Sequence, residues 1–111
     1  MAAAPALAQS KPEGQWLRDT GTARVQIAPC GDRLCGTIVW VRDKDSPSKV
    51  GMRVFYDVEP ERASVWKGRA FNPENKQDYE GTLTVIGDTL TTTGCVLGRL
   101  VCASMYWKRT P

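Results

Sequence analysis

The chain of 111 residues contains no histidine at all. That removes the side chain that titrates near neutral pH without help, the commonest general base and a principal metal ligand. Proton transfer would fall to carboxylates or lysine, and Asp43, Asp45, Asp57, Glu59 and Glu61 fall in expected loops or on outward phases. The run DVEPER, Asp57 to Arg62, reads as a solvated loop. Phosphate-cradling glycine loops and nucleophile elbows are missing too, so an enzyme is the least favoured function and no cofactor is expected. No apolar run approaches the ~18 residues of a membrane-spanning helix. The net charge is only +3, with Lys and Arg scattered among acids, which gives nucleic acid no basic stripe to meet.

What is present fits one small domain with a limited core. The first ten residues, MAAAPALAQS, are small and uncharged, and Ala6-Leu7-Ala8 before Gln9 has the A-x-A form of a signal peptidase site. Residues 1–8 are therefore expected to be a signal-peptide remnant or a disordered tail, and residues 9–111 a single barrel domain. Export implies a periplasmic or secreted protein in an oxidising compartment.

Beyond residue 13 the pattern is β throughout. Short runs rich in Val, Ile, Thr and aromatics are cut every ~8 to 12 residues by Gly, Pro, Asp and Asn clusters, as in an antiparallel sandwich or barrel. Strands are expected near Gly14 to Arg18, Ala23 to Ala28, Leu34 to Arg42, Met52 to Val58, Ser64 to Phe71, Asp78 to Val85, Thr89 to Val96 and Leu100 to Arg109. Alternation in DYEGTLTV points Tyr79, Leu83 and Val85 inward. Gly87-Asp88 suits a two-residue turn that pairs Val85 with Leu90, and Gly98-Arg99 suits a second that pairs Cys95 with Cys102. The last strand then points Met105, Trp107 and Arg109 inward.

Four cysteines remain to be placed. Cys30 and Cys35 flank Gly31 to Leu34, which predicts that they lie opposite each other across a hairpin, on the outer face. Zinc is disfavoured, since the intervening runs of four and six residues sit on separate hairpins, and a redox C-x-x-C is absent. Two local disulfides, Cys30 with Cys35 and Cys95 with Cys102, are expected; the two pairings that join the hairpins stay open. Trp16, Trp40, Trp66 and Trp107 all fall on inward phases. In a closed barrel the first and last strands are neighbours, so Arg109 is expected over the Trp16 ring as a cation-π plug at one end, worth about 1 to 2 kcal/mol if desolvated.

Several blocks resemble one known family. E-G-x-W-L at Glu13 to Leu17, V-x-I-x-x-C-G-x-x-L-C-G-x-I-V-W at Val25 to Trp40, W-K-G at Trp66 to Gly68, N-P-E at Asn72 to Glu74, and W-K-R at Trp107 to Arg109 look like the exported bacterial domain of unknown function 2147. The resemblance implies a secreted or periplasmic, lipocalin-like β-barrel with no assigned activity. Ala103-Ser104-Met105 departs from the Arg-Thr-Gln common in that family, which makes this part of the barrel more apolar.

The expected fold is therefore all-β, a small antiparallel up-and-down barrel of about eight strands with two hairpin disulfides. Its inward residues include Trp40, Met52, Val54, Tyr56, Trp66, Tyr79, Leu83, Met105 and Trp107, an aromatic lining that suits a small apolar or amphipathic ligand. Within that set Trp40, Tyr56, Trp66, Tyr79, Met105 and Trp107 are the candidate ligand-binding residues, away from Trp16 and Arg109. The competing reading is a filled core in a cell-envelope interaction module that presents Phe55, Phe71 and Tyr106 outward to a protein partner.

Overall fold

The computed structural model describes residues 11–96 and 100–111. The expected tail and the Gly98-Arg99 turn lie outside the described residues. Eight strands follow one another: β1 (Gly14–Arg18), β2 (Ala23–Cys30), β3 (Arg33–Val41), β4 (Arg53–Arg62), β5 (Val65–Asn72), β6 (Gln77–Ile86), β7 (Thr89–Val96) and β8 (Val101–Thr110). Each pairs antiparallel with the next, and β8 returns to β1 to close the barrel. Among the described residues no helix is long and apolar enough to cross a membrane.

Turn chemistry sets much of the register. Val85 pairs with Leu90 and Ile86 with Thr89 around Gly87, whose φ of 59° is the left-handed conformation that a two-residue turn with glycine first requires. Val96 pairs with Val101 and Cys95 with Cys102, so the C-terminal register follows the alternation in the sequence. The run at Asp57 to Arg62 is part of β4 rather than a loop, with Glu59 opposite Lys67 and the Glu59 carboxylate taking a hydrogen bond from Arg33 Nη1.

Both disulfides are local, Cys30–Cys35 and Cys95–Cys102. The first departs from its expected geometry: Cys30 pairs with Arg33, and Cys35 pairs with Ala28. The hairpin turns on Gly31-Asp32 alone, so the two cysteines meet diagonally, with Cα atoms 5.6 Å apart, and not face to face. Non-reducing peptide mapping should recover these two links, and replacing both Cys95 and Cys102 by serine should cost roughly 2 kcal/mol, as closure of a short loop predicts. A peptide joining the two hairpins would contradict the pairing.

Three bulges change which residues face the interior. Val25 pairs with Ile38 but Arg24 pairs with Trp40, which leaves Val39 as the extra residue on β3. Trp40 is thereby turned out of the barrel, 39% exposed, with the Arg24 guanidinium 5.7 Å from its ring centroid. On β4, Phe55 faces Gly36 while Arg53 faces Thr37, and Asp57 takes a φ of 56° where Tyr56 and Glu59 bracket a further extra residue. Phe55 is therefore buried at 5% exposure, and Tyr56 lies on the outer wall. The expected phases of Trp40, Tyr56 and Phe55 are all corrected by these bulges. Gly36 makes room for the change, because a Cβ there would come within 2.6 Å of the Phe55 ring.

Candidate functional site

Alternating connections divide the barrel into two unlike ends. The tight turns at Gly31-Asp32 and Gly87-Asp88 close one end, where the entry to β1 and the exit from β8 also lie. Trp16 there is fully buried, and its Nε1 donates to the Pro12 carbonyl at 2.8 Å. Arg109, opposite Trp16 in register, holds its guanidinium 4.3 Å from the ring centroid and donates to the Lys11 and Glu13 carbonyls. Ile27, Val58, Val85 and Leu90 are buried in the same core, which leaves this end filled by side chains.

The other end opens into a cavity of about 490 Å³. Loops at residues 19–22, 42–52 and 73–76 supply Thr20, Thr22, Asp43, Ser46, Ser48 and Glu74 at its mouth. Its wall is mainly apolar, with Val25, Ile38, Val54, Phe55, Leu83, Met105 and Trp107, though Arg18 and Thr92 line it as well. Phe55 stands edge-on to Trp107 at 5.9 Å between centroids, and Trp107 Nε1 donates to Thr92 Oγ1 at 3.1 Å. That bond satisfies the one polar atom of the indole, so the ring offers the cavity an apolar surface. The volume lies in the range of pockets that hold small molecules, and the mix of apolar wall with polar mouth is usual for them.

Of the sequence-predicted ligand residues, Tyr79, Met105 and Trp107 meet on this wall. Tyr79 packs its ring above Gly94 and anchors its hydroxyl to Asn75 Nδ2 at 2.6 Å. Trp66 lies against the core, opposite Leu83, but does not reach the cavity. Trp40 and Tyr56 are outside the barrel altogether. Tyr56 instead borders a shallow outer cleft of about 380 Å³ with Arg53, Phe71 and Asp78. Its hydroxyl donates to Asp78 Oδ1 at 2.6 Å and accepts from Arg69 Nε at 3.4 Å. The hydrogen bond and charge attraction of Tyr56, with Asp78 and Glu80 behind it, raise the Arg69 pKa above its ordinary value.

Two wall residues stand outside the candidate set named from the sequence. Phe55 is hidden by the bulges of β4. Arg18 needed no structure: it lies two residues after Trp16 on the same strand, so plain alternation already aims it inward. Among the described residues no group of three or more His, Cys, Asp or Glu side chains could hold a metal ion.

Comparison with known proteins adds one match. No curated protein and no solved structure matches the chain. The sequence from residue 14 to residue 109, which spans all eight strands, matches the family described as "Uncharacterized protein conserved in bacteria (DUF2147)". A barrel plugged at one end by Trp16 and Arg109, open at the other above Trp107, and stapled at two hairpins is thus the form taken by this member of DUF2147, the bacterial family to which the chain belongs.

Proposed function

We propose that this protein binds a small apolar or amphipathic molecule inside its barrel. The open cavity above Trp107 carries the reading, because a barrel whose only task was to fold would fill its interior, as the closed end does. Burial of an apolar tail against Phe55, Leu83, Met105 and Trp107 supplies the driving force, at about 25 cal/mol for each Å² removed from water. The competing interaction-module reading loses one of its three aromatics, since Phe55 is core, and is left with exposed Tyr106 and half-buried Phe71. Two disulfides in a bacterial family support an extracytoplasmic location, and we place the protein in the periplasm or outside the cell.

Titration with medium-chain fatty acids or aromatic amphiphiles should change tryptophan emission saturably, through Trp107. Met105→Ala should weaken that binding by about 1 to 2 kcal/mol through lost apolar contact. Trp66→Leu, off the cavity wall, should leave the affinity unchanged. If no ligand of either class perturbs the emission, the cavity is not a binding site and the proposal fails.

A further inference from the structure

We propose that the cavity selects an amphipath with an anionic head, paired to Arg18 while the apolar tail lies toward Trp107; this deepens the binding reading above and rests on it. Two arginines occupy inward positions on the strand pair that closes the barrel: Arg109 opposite Trp16, and Arg18 opposite Trp107. Arg109 is committed to the closed end by its carbonyl partners and its place over Trp16. Arg18 is held by less, an ion pair to the half-exposed Asp19 side chain and the Trp107 ring. Its guanidinium borders the cavity, 5.8 Å from the Trp107 ring centroid, and its side chain is only 27% exposed.

The hydrogen bonding of Arg18 is incomplete. Its Nε is buried and makes no hydrogen bond to any of the described residues. Asp19 Oδ1 lies 3.3 Å away without hydrogen-bonding geometry, on a side chain half open to water. The Nε atom is closed to a ligand, but the rest of the side chain is partly exposed and borders the cavity, where a carboxylate or sulfate head would meet the positive charge in a charge-assisted pair. The other charges at the mouth do not reverse this preference. Arg42, Asp43 and Glu74 are all exposed loop residues that water and salt screen. Arg69 borders the cavity from the outward phase of β5, where Tyr56 engages it. A cationic head would meet Arg18 as a like charge, and a neutral one would gain no charge-assisted pair.

The test compares heads on one tail. Tryptophan emission of the full, disulfide-bonded chain is titrated with decanoate, decanol and decyltrimethylammonium below their micelle concentrations, with acetate as a head without a tail. Decanoate should bind at least about tenfold more tightly than decanol, the cation most weakly, and acetate not at all at the same concentrations. Arg18→Gln should lower decanoate affinity about tenfold to a hundredfold and leave decanol unchanged, and Arg18→Lys should recover part of the loss. Equal binding of decanoate and decanol would overturn the head-group inference and leave the cavity reading standing. Displacement of decanoate by equimolar acetate would overturn it as well, since the site would then be a bare anion site. Absence of binding by all three decyl compounds would instead remove the cavity reading itself. The series on the unsubstituted chain decides these outcomes even if an Arg18 variant does not fold.

Discussion

Replacing Trp16 with alanine should lower the free energy of unfolding by about 3 to 5 kcal/mol, the range for emptying a large aromatic site in a core. Trp16 has no exposed surface, and its neighbours cannot collapse into the space, because the β1 backbone is held by β2 on one side and β8 on the other. The loss extends past the ring itself. Arg109 would keep its carbonyl partners but lose the surface over which its charge lies, and the Pro12 carbonyl would lose its donor. Urea denaturation with the disulfides intact checks this as a lower midpoint at an unchanged slope. Affinity for a ligand of the cavity, measured on the folded fraction, should not change, since the site lies at the other end. A stability loss under about 1 kcal/mol would mean that the closed end does not depend on the plug.

Two adjacent residues provide the second large effect. Phe55→Ala should destabilise by about 3 to 5 kcal/mol, because the ring is buried between Gly36 and Trp107. Tyr56→Ala should cost about 1 kcal/mol or less, the worth of an exposed hydrogen bond and an exposed cation-π contact. Denaturation of the two variants side by side reads the phase of β4 directly. Equal costs, or a larger cost at Tyr56, would place the bulges elsewhere. Phe55→Ala should also enlarge the cavity and alter ligand affinity, whereas Tyr56→Ala should not.

That contrast marks where the sequence could be read and where it could not. Alternation is legible when polar and apolar residues truly alternate, as in DYEGTLTV, and there the register and the inward phase of Tyr79, Leu83, Met105 and Trp107 follow from the turns alone. The stretches IVWV at Ile38 to Val41 and VFY at Val54 to Tyr56 are apolar at every position, so alternation has nothing to count. A bulge costs such a strand little and leaves no mark in it. Trp40, Phe55 and Tyr56 all lie in these stretches, and each takes the face opposite to the one that alternation predicts. The cavity was beyond a sequence reading for another reason: the same side chains can line a void or fill it, and only the shape of the backbone decides which. Arg18 was legible and shows the reverse limit, since an inward arginine in a short strand draws less notice than the tryptophan beside it.

The seam of this barrel is its shortest strand. β1 has five residues, against eight in β2 and ten in β8, the two edges it joins. If β1 lifted away, both neighbours would present unpaired backbone along their length, the template on which chains add to one another. Local opening of this kind draws on the few bonds of the detached segment and not on the whole fold. Trp16 and Arg109 therefore guard solubility as much as stability, since together they fasten the strand whose departure would turn a closed barrel into a sheet with two free sides.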